Sequence, residues 1–423
     1  MLNRLRQIGP AIVVAAVVLG PGSITTSTKV GAAFGYHMLW LMVTLLILLI
    51  GVASLASWLG ATLEKSLCQE LSARLGKWAG WVIGISFFLI VAGFQSSNNM
   101  AVIAGIEPLI GEGKKLPTSA IVGLLLAVNL CIIGILYFAK NLYKQVEKIM
   151  KVMVLMMVAA FLVNLVFAKP SISGILAGLI PDFSPFSNTD QLLILMGLIA
   201  TTFSVAGAFY QGYLVREKGW GPDKVREGFI DSFLGMCVLV GVTSVIMMTS
   251  AATFYGKVSP EELSDAGKMS AQLKASFGAA ASWIFCFGFL AGAFSSFLVN
   301  AMIGGHVFSD GIGLGSSLQN KGARHLTALA LIVGMIIGIA SLVGEFDRTT
   351  TIVIAQASTV VGGPAVVAGL LYLGWRQFFK ETAKPPLWAL IITSFAMILT
   401  LAVAGTTGKN VISKIQTITA PAS

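Results

Sequence analysis

The stretch VLGPGSITTSTKVGAAFG, running from Val18 to Gly35, decides how the rest of the chain is read. An apolar helix is interrupted at Gly20-Pro21-Gly22-Ser23 and resumes after a run of hydroxyl residues. Bilayer hydrocarbon offers no water to the N–H and C=O groups that such a break frees, so it persists only where it lines a buried cavity. Transporters built from inverted repeats use such half-helix ends to hold a solute near the midplane. The stretch is therefore expected to form a substrate site.

Composition sets the frame for that expectation. Of 423 residues, 56% are hydrophobic and 11% charged, with a mean hydropathy of +0.87; soluble domains carry about 25% charged residues. A polytopic membrane protein follows, at home in a bacterial inner or plasma membrane. The opening MLNRLRQIGPAIVVAAVVL is basic and then apolar but has no small-residue cleavage site, so the first helix is expected to be retained. Cys68, Cys131, Cys237 and Cys286 form no close pair and read as packing residues rather than disulfides or metal ligands. The net charge of +10 suits basic loops beside anionic lipid better than nucleic acid. No HExxH, carboxylate pair or mid-span base appears, so neither an enzyme nor a cofactor is expected.

Apolar runs of about 20 residues span a bilayer, and eleven are found: 10–35 (broken), 38–59, 80–106, 118–139, 148–168, 190–215 (interrupted), 228–253, 279–304, 324–343, 350–373 and 386–406. Connections on the side of the N-terminus hold twice the Lys and Arg of those opposite, which predicts a cytoplasmic N-terminus and an external C-terminus. The longest connection, 256–277, carries Ser259-Pro260-Glu261-Glu262 and predicts a short external surface helix. The sixth run breaks as the first does: Ala200 to Ala208 puts small and hydroxyl residues mid-span. Two corresponding breaks predict one transporter domain over 1–423, with repeats at about 8–168 and 190–373 and a peripheral extra span at 386–406.

The residues at these breaks resemble a known family. Gly20 to Ala32 lies over the motif DPGNFATDIQAGA of the Nramp family of proton-coupled divalent-metal transporters, and Phe34-Gly35-Tyr36 continues it. Ser54 to Gly60 resembles the end of that family's second span, and Tyr143 to Pro181 its fifth. Thr201 to Val215 corresponds to the sixth-span motif TTVMPHNLYLHSALV, and Gln356 to Pro364 keeps the tenth-span spacing of glutamine to proline. The resemblance implies a LeuT-like fold, all-α and membrane-embedded, with a 5+5 inverted repeat plus one span, and transport of a divalent cation.

The family's metal ligands, the Asp and Asn of DPGN and the Met of MPH, fall on Gly20, Ser23 and Ser204; its two histidines fall on Ala206 and Gln211, and its third-span carboxylates on Phe94 and Ser97. Gln356 alone matches a residue that approaches the metal. No acidic residue is expected near the middle of a span, and His37, His306 and His325 are expected at span ends. Neutral oxygens suit manganese or iron poorly, so no metal ligand is assigned. The candidate substrate site is Gly20, Pro21, Gly22, Ser23, Thr26, Lys29, Thr202, Ser204, Ala206, Gly207 and Gln356, with Ser295 and Ser296 as a sodium-coupling pair. Lys29, the one charge inside an apolar span, either faces the site or snorkels to the external interface. Three functions stay open: transport of a divalent cation, transport of a small polar or anionic organic solute with sodium coupling, and a non-transporting membrane sensor.

Overall fold

Proline at the first position of a helix loses nothing, because that N–H has no partner within the helix. Pro10 and Pro21 each open one: α1 (Pro10–Val18) and α2 (Pro21–Phe34) meet at Leu19-Gly20 with a bend of 60°. The computed structural model describes residues 9–110, 116–263, 266–344 and 348–419; the side chains of 189–190, 343, 348–361 and 410–419 fall outside that description.

Chain order continues with α3 (Leu39–Thr62), α4 (Leu67–Leu75), α5 (Lys77–Ile110), α6 (Thr118–Phe138), α7 (Leu142–Ala168), α8 (Ile172–Ala177), α9 (Thr189–Thr202) and α10 (Val205–Glu217). Then come α11 (Val225–Phe254), α12 (Ala266–Phe277), α13 (Ala279–Gly311), α14 (Lys321–Val343), α15 (Arg348–Lys380) and α16 (Leu387–Thr419). Among the described residues nine helical stretches are long and apolar enough to cross a bilayer, and the bent pair α1–α2 makes a tenth. The run expected at 350–373 falls within α15. The sixth run is interrupted at Phe203-Ser204, with a gentler bend than the first. The face where Gly9 lies is called the near face below, and the opposite one the far face.

Packing centres on α13, which lies along α5, α7 and α14 and also touches α1. Small residues let backbones approach closely, as membrane helices require where no water drives association. At the α3–α10 crossing a Cβ on Gly60 would clash with the Gly212 carbonyl, so only glycine fits. All nine residues of α1 are buried, enclosed by α7, α10, α11 and α13. Outward-facing side chains such as Leu130, Leu155 and Val166 are apolar and exposed, as a lipid-facing surface demands. The expected surface helix at 256–277 resolves into a short 3-10 turn at Pro260–Leu263 and α12, which buries Met269 and Leu273.

One sequence expectation gains a detail and one is corrected. Asp231 and Asp310, expected in or beside connections, are 2% exposed near the ends of α11 and α13, and His306, expected at a span end, is fully buried near the end of α13. Each lies within about two turns of a helix end, and its burial comes from the neighbouring helices packed there. The last span was expected to be peripheral. Instead α16 packs on α15 and α3 and reaches the central cavity.

Candidate functional site

The break in α1–α2 frees the last carbonyls of α1, and each of two serines on α13 answers one. Ser295 Oγ donates to the Ala16 carbonyl (2.8 Å) and Ser296 Oγ to the Val17 carbonyl (3.0 Å). Leu19 N–H closes the turn onto Ala15 O (3.0 Å). Gly20 is glycine because the Ser296 side chain occupies the space of its Cβ, at 2.6 Å from Oγ. In the sixth span the break is capped by its own residue: Ser204 Oγ accepts from Gly207 N–H (3.2 Å) at the start of α10.

Between the two breaks lies a cavity of about 160 Å³. Its wall takes Gly20, Pro21, Gly22 and Ser23 from span one, Thr201, Ser204 and Ala206 from span six, and Ser296 from α13. The Ser23 hydroxyl is buried and makes no hydrogen bond, so it is a polar group at the wall without a protein partner.

Other expected site residues lie off the wall. Thr26 Oγ1 meets Thr201 Oγ1 at 2.7 Å and the Gly22 carbonyl at 2.9 Å, tying α2 to α9. Gly207 packs against Val14 and Val18 of α1. Thr202 is fully buried and its hydroxyl is unbonded. Ser295 stands behind the wall on Ala16. The Gln356 side chain lies outside the described residues. Lys29 is half-buried on the far half of α2, near enough for its charge to bear on Glu261 of the far-face loop. The Glu261 carboxyl is held below its usual range first by the Ser259 hydroxyl (2.8 Å), then by its own backbone, and in smaller part by Lys29.

Four wall positions carry polar groups that were not foreseen. Asn98 of α5 donates to Gln95 Oε1 (2.7 Å), whose amide donates in turn to the Phe297 carbonyl (2.8 Å). Asn300 of α13 donates to Ser296 Oγ (2.9 Å). Thr400 and Thr407 come from α16. Asparagine in an apolar run was the available signal, since buried amides mark polar interiors. Phe94 and Ser97, the expected counterparts of family carboxylates, are on the wall too.

The chemistry on offer is therefore hydroxyl, amide and peptide oxygen, with an apolar remainder. Among the described residues no three His, Cys, Asp or Glu come together to hold a metal ion.

Comparison with known proteins is consistent with this architecture. The Eremococcus coleocola manganese transporter, solved with an aromatic bis-isothiourea compound, superposes with a TM-score of 0.77 at 16% identity, over 99% of this chain and 89% of that one. MhsT in complex with L-phenylalanine gives a TM-score of 0.62 at 15% identity, over 95% and 98%. Both likenesses concern the fold, which is LeuT-like. Among curated relatives, the divalent metal cation transporter MntH of Nostoc sp. is 24% identical over 413 residues, 95% of this chain and 89% of the relative. That of Listeria monocytogenes is 25% identical over 412 residues, 93% and 87%. The family model described as natural resistance-associated macrophage protein-like matches residues 11–408. With both broken spans, the cavity between them and nearly the whole chain inside that match, the chain belongs to the Nramp family.

Proposed function

We propose that this chain is a secondary transporter whose cargo enters the cavity between the two broken spans, and that the cargo is a hard divalent cation retaining part of its water shell. Its curated relatives are named divalent metal cation transporters, which supports the class of cargo. The observation that carries the hydrated form is the wall itself. Ser23, Asn98, Ser204, Asn300 and Thr400 offer neutral polar groups, and no carboxylate, imidazole or thioether lines the cavity among the described residues. Manganese and iron are held by such stronger ligands; magnesium gives up water reluctantly and is bound with several waters in place.

In this reading the near face is cytoplasmic, as the excess of basic residues there supports. Repeats at about 8–168 and 190–373 exchange access by moving spans one and six with their companions against a scaffold of spans three, four, eight and nine. Gly20, Gly22 and Gly207 act as hinges. A sodium ion coupling at Ser295 and Ser296 would replace their bonds to Ala16 and Val17.

Uptake into proteoliposomes tests the proposal. Magnesium uptake should be saturable and inhibited by cobalt(III) hexaammine, an exchange-inert mimic of a hexahydrated ion. Saturable manganese uptake in the micromolar range with no inhibition by that complex would overturn it.

A second reading, a small polar or anionic organic solute, is favoured by the room available. About 160 Å³ compares with the roughly 150 Å³ cavity that admits benzene, and the N-terminus of α2 favours an anionic group. Thermal stabilisation by organic ligands and none by magnesium would select this reading, because a ligand of the folded state raises stability with the logarithm of its concentration.

A further inference from the structure

His306 lies on α13 ten residues beyond Ser296, about 15 Å toward the near face at 1.5 Å per residue. Its side chain has no exposure at all. Nδ1 stands 3.0 Å from the Tyr210 hydroxyl of α10, and Nε2 makes no hydrogen bond. The Tyr210 and Tyr213 rings stack on each other at 5.8 Å and meet the imidazole edge-on at 5.7 and 5.1 Å. Tyr213 donates to Asp310 Oδ2 (2.6 Å), one turn beyond His306, and receives the Cys68 N–H of α4 (3.3 Å); Asp310 Oδ1 is unbonded. Two buried polar atoms without a hydrogen bond, on residues one turn apart along α13, therefore lie where the near half of span six meets that helix.

Solvent is close by. The Ser316 backbone lies beside the ring without meeting hydrogen-bond geometry, and Glu217 is within electrostatic reach. Both residues also line a cavity of about 570 Å³ on the near face, together with Arg216 and Trp220. The other helices packed on this stretch bring no titratable group to the ring: Val91 and Gly84 of α5 and Thr327 of α14 press on Gly304, Phe308 and Gly305. Among the described residues no carboxylate forms an ion pair with His306.

We propose that His306 is a proton-binding site that controls closure of the near face, with protonation at Nε2 driving α10 away from α13. In the tautomer whose Nδ1–H donates to Tyr210, the proton comes from solvent in the near-face cavity and adds to the Nε2 lone pair, and no protein bond breaks. A neutral ring fits the packed contact. An imidazolium there has the Glu217 and Asp310 carboxylates within electrostatic reach but no ion-pair contact, so the buried charge is disfavoured until water or a closer carboxylate reaches it. Swinging α10 outward admits that water and carries Ala206, on the cavity wall one turn before Tyr210, along with it. Closure is thus present when His306 is neutral and is lost as pH falls through its titration. The inference stands whatever the cargo, because its test uses none.

Hydrogen–deuterium exchange of α10, corrected for the intrinsic pH dependence of amide exchange, tests it in purified protein. One titrating group changes an equilibrium by at most tenfold per pH unit, and an ordinary imidazole titrates near pH 6.5. The corrected opening of residues 205–217 should rise about tenfold between pH 7.5 and 5.5 in the parent. His306→Gln should flatten that rise, and His325→Gln, altering the histidine bonded to Tyr137, should leave it intact. Tyr210→Phe keeps the ring and removes the partner of Nδ1, so it should shift the pH midpoint without abolishing the rise. A flat profile in the parent, a rise persisting in His306→Gln, or an unmoved midpoint in Tyr210→Phe would each overturn the proposal.

Discussion

Asp231 offers the sharpest test of how α1 is held at the near face. Its carboxylate accepts Gly9 N–H at 2.7 Å, Ala11 N–H at 2.8 Å and Gln211 Nε2 at 3.0 Å, so a residue of α11 caps the start of α1 and braces it to α10. Hydrogen bonds to a charged acceptor contribute about 1.5–3 kcal/mol each. The two backbone bonds thus hold α1 in place by roughly 3–6 kcal/mol. Asp231→Asn keeps one acceptor oxygen and forfeits about half of that, a 10- to 100-fold rise in the opening of α1 at about 1.4 kcal/mol per tenfold. Asp231→Ala removes both acceptors and should raise opening about 100-fold or more. Hydrogen–deuterium exchange of residues 11–18 at fixed pH reads this directly, with α14 as an internal reference. Protection of α1 unchanged within about twofold in Asp231→Ala, a difference under ~0.5 kcal/mol, would refute the capping argument.

Two further outcomes follow from the site. Gly20→Ala places a methyl 2.6 Å from Ser296 Oγ and 2.9 Å from its Cβ, an overpacking that costs about 1–3 kcal/mol; the thermal midpoint should drop, and Ser296→Gly added to it should restore part of the loss. Lys29→Gln should leave the charge preference of uptake or ligand binding unchanged, because Lys29 belongs to the far-face electrostatics around Glu261; an altered preference would bring Lys29 into the site.

The sequence carried the breaks because their cause is local. Gly20-Pro21 ends one helix and starts the next, because Pro21 has no N–H to extend α1 yet fits the first position of α2, and Ser204 caps the start of α10 with its own side chain. Apolar runs carried the spans for the same reason. Partnerships across the fold were not legible. Ser295 and Ser296 were placed beside the first-span carbonyls only through the likeness to LeuT-like folds, and that their hydroxyls bond Ala16 and Val17 directly was not legible. His306, Asp310 and Asp231 read as residues at or beside span ends, and what the sequence did not show is that the neighbouring helices bury them there. Asn98 and Asn300 stood in plain view within apolar runs, but which side of α5 and α13 faces the centre depends on the neighbouring helices. The Thr400 and Thr407 contribution depended on where an unrepeated helix docks.

That docking gives the chamber a lopsided character. The two halves of such a fold exchange roles when access passes from one side to the other, but α16 has no counterpart with which to exchange. A solute resting against Thr400 and Thr407 therefore meets, on that side, a helix outside both proposed repeats, and under the proposed alternation its grip on the protein can differ between the two openings. Half-saturation can then differ between the two sides, while the net direction of flow remains set by the gradients across the membrane.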